Sequence, residues 1–327
     1  MKNTIIYIIF VISILISSCN NSSTQNNNQV NDTVLSGKLV IFHAGSLAVP
    51  LKKIATEFNK TYPKVEILME AAGSLACARK LTELNQNCDI IAVSDYKVID
   101  NMLIPNYCEW NIPFAGNEMI IAYTPSSKLA SEINAANWFN ILKKKEVNVG
   151  RSDPNADPCG YRTIMTLQLA DLYYNQNISK SLISKNKEYI RPKETDLLGL
   201  LEAKELDYIF IYRSVAIQHN LSFVTLPDSI NLKNTEIESF YSKAKVEING
   251  SEPGKKQMVS GESMIYGISI PKSASNKIAA ETFLAFLLSA NQGMKIMEEC
   301  GQTAIAPSMN VNYDKVPITI QKYILQK

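Results

Sequence analysis

The sequence predicts an α/β protein of two lobes, and three observations carry that expectation. Short β-rich apolar runs alternate with helical periods, the pattern of repeated βα units and a largely parallel sheet with helices on its faces. The pattern passes into a second α/β region after about residue 120 and returns at about residue 266, so two crossings join the lobes, an arrangement suited to closure by a hinge. The chain has 327 residues, 46% hydrophobic and 20% charged, about twice the common domain size and long enough for two cores. A single large α/β enzyme domain is the alternative that periodicity leaves open.

The first residues stand outside this pattern. Met1–Cys19 reads MKNTIIYIIFVISILISSC: one lysine, an apolar run too short to span a bilayer, two serines and a cysteine, as in a signal peptide. Ile16-Ser17-Ser18-Cys19 resembles a bacterial lipobox, which implies cleavage after residue 18 and lipid on Cys19. The alternative is a secreted protein without lipid. Residues 20–36, NNSSTQNNNQVNDTVLS, lack aromatics and periodicity and are expected to be a disordered tether. The expected organisation is a signal peptide (1–18), a lipidated tether (19–36), a first lobe (37–120), a second lobe (121–265) and a return to the first (266–327).

Within the lobes the elements follow in order. LVIF (39–42) precedes Leu47, Leu51, Ile54, Ala55 and Phe58 at helical spacing. VEILM (65–69) leads to Leu75, Ala78 and Leu81, and DIIAV (89–93) to Val98, Ile99 and Met102, giving three βα units. MIIAY (119–123) is a further strand before a helix candidate at 138–145. The second lobe continues with VNVGR (147–151), a long helical stretch after Gly160, a helix from about Pro192 to Lys204 and the strand YIFIY (208–212). Low apolar density and a Ser251-Glu252-Pro253-Gly254 turn mark 232–261 as edge or loop. MIYGISI (264–270) brings the chain back, followed by helices at 279–288 and 292–299.

Charge excludes some functions. With 33 Lys+Arg against 31 Asp+Glu the formal net charge is +2, so no single-sign field exists to attract nucleic acid. The six cysteines are spread thinly, with no CxxC and no clustered histidine, which argues against a zinc site or a disulfide scaffold. No GxSxG elbow, Walker A loop, GxGxxG fingerprint or HExxH helix is present.

The most informative feature is a local repeat, Ala44-Gly45-Ser46-Leu47-Ala48 and Ala72-Gly73-Ser74-Leu75-Ala76, each between a strand and a helix. Such a turn offers free N–H groups, a hydroxyl and the positive end of a helix, a geometry that binds anions. Each serine alone is more readily an N-cap. The pair, after neighbouring parallel strands, favours a site at the carboxyl edge of the sheet. Asp157-Pro158-Cys159-Gly160-Tyr161-Arg162 presents another helix start, although Asp at N-cap and Pro at N1 is also ordinary helix architecture. Glu194 falls in an expected first helical turn, where the dipole favours a carboxylate for structural reasons alone. Tyr212 ends its strand and reads equally as a buried aromatic.

FHAGSL (42–47), EAAGS (70–74), DPCGYR (157–162), ELDYIFIYRSVA (205–216) and YGISIP (266–271) occur in the order found in the molybdate/tungstate-binding proteins of ABC importers. The chain resembles that family, its tungstate-preferring branch above all, from about Gly37 to Pro307. The resemblance implies a type II periplasmic-binding-protein fold closing over one tetrahedral oxoanion. It places ligand contacts on Gly45, Ser46, Ser74, Asp157, Pro158, Cys159, Glu194 and Tyr212, with Asp157 and Glu194 reaching the metal centre of the oxoanion. Asp196 or Glu202 are the alternatives to Glu194. It further implies a monomeric carrier, not an enzyme, with no cofactor, serving an ABC permease and its ATPase; the lipobox reading adds that its lipid holds it at the membrane, facing the periplasm.

Two carboxylates facing a dianion repel it, at a cost of several kcal/mol within about 4 Å in a partly dry cleft. Sulfate is therefore a poor candidate. Either the ligand carries protons, as phosphate can, or the carboxylates coordinate an expandable centre such as molybdenum(VI) or tungsten(VI). Two other readings remain: a ferric-ion binder using Tyr212, Asp157, Glu194 and His43, and a lipoprotein hydrolase using Cys159 with His219.

Overall fold

The computed structural model describes residues 34–250 and 254–326. The expected signal peptide (1–18), Cys19 and the tether up to residue 33 lie outside the described residues, as do 251–253. Among the described residues no helix is long and apolar enough to cross a membrane. The end of the expected tether belongs to the fold: Leu35 packs on the core, and the Ser36 carbonyl accepts from Asn276 Nδ2 at 3.1 Å.

The three βα units of the first half form as read. Strand Gly37–Ala44 runs parallel to Val65–Ala72 on one side and to Ile90–Val93 on the other. Helices Ala48–Thr61, Ser74–Thr82 and Tyr96–Met102 follow them. Alternation along the strands decides which side chain faces where. Leu39, Ile41, Ile90 and Ala92 enter a core shared with helices Ala48–Thr61 and Lys277–Leu288, whereas Phe42, Ile91 and Val93 enter the core on the opposite face.

The sheet is mixed, not largely parallel. Strand Ile265–Ser269 lies antiparallel between Ile90–Val93 and Ile112–Gly116, and Thr303–Ala304 adds an antiparallel edge, for six strands. Ile112–Gly116 escapes the pattern reading because Pro113 and Gly116 dilute its apolar run.

The chain crosses at Asn117–Glu118. Met119–Tyr123 pairs antiparallel with Tyr208–Tyr212 and Ser222–Thr225, so the expected boundary after residue 120 falls inside a strand of the second sheet. Val149–Ser152 and the short Ile190–Arg191 complete that five-stranded sheet in parallel with Tyr208–Tyr212. Helix Pro158–Tyr174 packs on it and is buried on most of its faces, through Tyr161, Arg162, Met165 and Leu169 among others. The stretch expected as edge or loop contains an antiparallel hairpin, Lys245–Asn249 with Lys256–Ser260, in which Val246 and Ile248 are buried between exposed neighbours. Its period of two is short and easily missed among polar residues. One core runs unbroken from Phe42 and Val93 in the first half to Phe210 and Tyr212 in the second, so the halves are shut against each other.

Candidate ligand site between the two halves

Both AGS motifs lie on the seam. A Cβ on Gly73 would sit 2.2 Å from the Ala156 carbonyl oxygen and 2.9 Å from that of Pro192; one on Gly45 would sit 2.8 Å from Thr195 Oγ1 and 3.0 Å from Glu194 Oε2. These glycines let the backbone of one half touch the other, and Ala76 N–H donates across to the Ala156 carbonyl at 3.3 Å.

Neither serine is an N-cap. The caps of these helices, Ala44, Leu47 and Gly73, make no side-chain cap bond. Instead Ser46 Oγ bonds Tyr266 Oη at 3.0 Å. Ser74 Oγ accepts the Ser94 N–H at 3.0 Å and lies 3.1 Å from Ser94 Oγ. Both serines are buried, at 1% and 0% exposure.

Across the seam, Asp157 does cap helix Pro158–Tyr174, with Pro158 in its first turn: Oδ1 accepts the Cys159 N–H at 3.1 Å. Oδ2 accepts the Glu194 N–H at 2.9 Å. Glu194 departs from expectation, because the helix there spans only Asp196–Glu202. It sits in the turn before the helix, where no first-turn dipole role explains its carboxylate. Its side chain reaches Gly45 while neither of its oxygens has a hydrogen-bond partner among the described residues. The alternatives point elsewhere: Asp196 is exposed and paired with Lys193 at 3.1 Å, and Glu202 is exposed.

Burial sets the electrostatics of this pair. Desolvation first, and the Asp157 charge second, push the Glu194 carboxyl well above the ordinary carboxylate range. Desolvation also raises Asp157, against the pull of its hydrogen bonds, those from the Cys159 and Glu194 main-chain N–H groups among them. Such a pair is unfavourable when empty and charged.

Tyr212 is buried, with Oη accepting from Arg162 Nη1 at 3.2 Å and 3.4 Å from Ser94 Oγ. Ser94, Asp95, Asn117, Arg162 and Tyr266 are the polar residues that the motif reading passes over. Arg162 Nη1 also donates to the Ser94 carbonyl at 2.5 Å, Nη2 lies 3.5 Å from Asp95 Oδ2, and Tyr161 donates to the same carboxylate. These contacts tie the halves together. Ser94-Asp95 follows the third parallel strand as AGS follows the first two, and that position was the available clue.

The competing chemistries find no geometry. Cys159 is fully buried, donates weakly to the Phe210 carbonyl at 3.7 Å, and has its thiol pushed well above the usual range by desolvation. His219 is exposed at the end of helix Arg213–Gln218. His43 turns Nδ1 to the Ala44 carbonyl at 2.8 Å. Among the described residues no group of three or more His, Cys, Asp or Glu could hold a metal ion.

Two α/β halves, joined by two crossings and shut on a buried acidic pair, define a two-lobed solute-binding protein. The chain belongs to the bacterial extracellular solute-binding protein family, whose profile matches residues 39–301. It is 46% identical over 292 residues to an uncharacterized solute-binding protein of Petrotoga mobilis, covering 89% of this chain and 91% of that one. It is 40% identical to the molybdate/tungstate-binding protein WtpA of Thermococcus kodakarensis, covering 96% and 94%. The periplasmic molybdate-binding protein of Azotobacter vinelandii shares the type II fold at a TM-score of 0.59 and 14% identity, over 81% of this chain and 98% of that one.

Proposed function

We propose that the chain captures a tungstate or molybdate oxoanion by closure of its two lobes and delivers it to an ABC permease. The observation that carries this reading is the buried pair Asp157 and Glu194, with both Glu194 oxygens unpartnered. A sulfate ion against two carboxylates is repelled. A molybdenum or tungsten centre that expands beyond four oxygens turns the same carboxylates into ligands. Each Asp157 oxygen keeps one lone pair beyond its backbone N–H bond, and Glu194 keeps all of its own. Gly45, Ser46, Ser74 and Tyr212 then serve the oxo groups, with Pro158 fixing the helix start and the Cys159 N–H holding the Asp157 carboxylate. The WtpA relatives, named for these two ligands, support the assignment.

In this reading the protein is a carrier with no catalytic step, a monomer tethered through lipid on Cys19 at the cell envelope. Calorimetric titration of residues 36–327 with tungstate, molybdate, sulfate and phosphate in chelator-treated buffer tests it. One-to-one binding of tungstate or molybdate without sulfate is expected. Silence toward all four from folded, ligand-free protein overturns it.

A further inference from the structure

We propose that Ser46 of the first AGS motif is held as a donor to the ligand by a one-way hydrogen-bond chain that begins at Asn117. Asn117 and Tyr266 are then positioning residues for recognition of a fully deprotonated oxoanion. This rests on the oxoanion reading above and deepens it.

The chain begins at the crossing between the halves. Asn117 Oδ1 accepts the N–H of Glu118 at 3.0 Å and that of Ser214 at 3.3 Å, which fixes the orientation of the amide. Its Nδ2 therefore faces Ser214 Oγ at 2.7 Å and Tyr266 Oη at 2.9 Å, and Nδ2 can only donate. Tyr266 Oη accepts, so its single proton goes to Ser46 Oγ, its other partner, at 3.0 Å. Tyr266 is fully buried, and a proton turned anywhere else would be left without an acceptor. Ser46 Oγ thus accepts from behind and keeps its own proton for the ligand.

A second set of bonds, without a fixed direction, reaches the other serine. Arg162 Nη1, which has only protons to give, occupies Tyr212 Oη at 3.2 Å. The Tyr212 proton is directed to Ser94 Oγ at 3.4 Å or to the ligand. Ser94 Oγ lies 3.1 Å from Ser74 Oγ, which already accepts the Ser94 N–H at 3.0 Å. Either hydroxyl of the Ser74–Ser94 pair can donate to the other.

The first repeat therefore ends in a hydroxyl whose polarity is set from outside the site. Such a hydroxyl satisfies an anion that is an acceptor at every oxygen. A protonated oxoanion must aim its proton at Asp157 or Glu194, and so loses the coordination those residues provide.

The test is a double-mutant cycle read by tungstate titration of the purified full chain, with melting curves as the check on folding. Asn117→Asp replaces the donor with an acceptor and draws the Tyr266 proton away from Ser46; about tenfold weaker binding is expected. Tyr266→Phe frees Ser46 to rotate and weakens binding by about threefold or more. With no tyrosine to misdirect, the double variant binds as well as Tyr266→Phe alone. Ser214→Ala removes the other Asn117 contact and stays within about twofold of the parent. If Asn117→Asp binds within about twofold of the parent, or the double variant shows the full sum of both losses, the chain is refuted while the oxoanion reading stands. If Asn117→Asp fails to fold, the comparison of Tyr266→Phe with Ser214→Ala decides: loss in the first alone supports the chain, and equal behaviour overturns it. A parent protein that binds no oxoanion overturns both.

Discussion

The main-chain N–H of Glu194 donates to Asp157 Oδ2 at 2.9 Å, so the backbone of one acidic residue is held by the carboxylate of the other. The turn that carries Glu194 is thereby anchored to the start of helix Pro158–Tyr174, and the two carboxyls are kept together against their own repulsion.

Removing the free carboxylate should separate binding from folding. Glu194→Ala is expected to weaken tungstate affinity more than about tenfold, a loss above 1.4 kcal/mol, with the melting midpoint unchanged or raised. Unchanged affinity by calorimetry would exclude Glu194 as a ligand. Asp157→Asn is less clean, because both Asp157 oxygens accept backbone N–H bonds and the new amide must oppose one of them. It should lose stability as well as affinity.

The pH dependence of the ligand-free protein follows from the direction of the Glu194 shift. A carboxyl raised above its unfolded value contributes stability that is fully present below the unfolded pKa, about 4.3, and is lost as pH rises through the higher folded value. Glu194→Gln has no such proton to lose. Its melting midpoint should exceed that of the parent by a few degrees at pH 8, with the gap closing toward pH 4. Scanning calorimetry across that range checks this, and a constant gap would contradict it.

Glycine to alanine changes test the seam. Gly73→Ala places a methyl group 2.2 Å from the Ala156 carbonyl. The two halves then cannot shut, so tungstate binding should fall by about tenfold or more while each half keeps its fold. Gly199→Ala, with nothing within 4 Å of the new methyl on helix Asp196–Glu202, should leave affinity alone and stabilise by about 0.5–1 kcal/mol. Titrations and melts of both variants provide the comparison.

Cys159→Ala removes a buried thiol but leaves the N–H that bonds Asp157. Affinity should change less than about threefold, with stability lower by about 1 kcal/mol from lost packing. A collapse of binding in a folded variant would show that the sulfur itself meets the ligand.

The strands and helices of the first half were legible because Leu39, Ile41 and Phe42, or Leu51, Ile54 and Phe58, repeat at the period of their element. The Ile112–Gly116 strand and the Lys245–Ser260 hairpin were not, since a proline in one and intervening polar residues in the other hide a short alternation. Strands Ile112–Gly116 and Met119–Tyr123 belong to different sheets yet are separated by only Asn117 and Glu118, so no shift in composition marks where one sheet gives way to the other. At the site, the AGS repeats marked the seam, although the reason for their glycines is backbone contact across it, which no local pattern encodes. Asn117 and Tyr266 are 149 positions apart, and their bond exists only once both crossings are in place.

Ser46, Ser74, Asp157 and Glu194 are all at most 1% exposed with the halves shut, and a wall that keeps water from them also holds back a departing ion. Escape of the cargo is then timed by the opening of the hinge. Dissociation rate constants should track how firmly each cargo holds the shut form. A partner that pries the halves apart would govern the moment of unloading without ever touching the cargo.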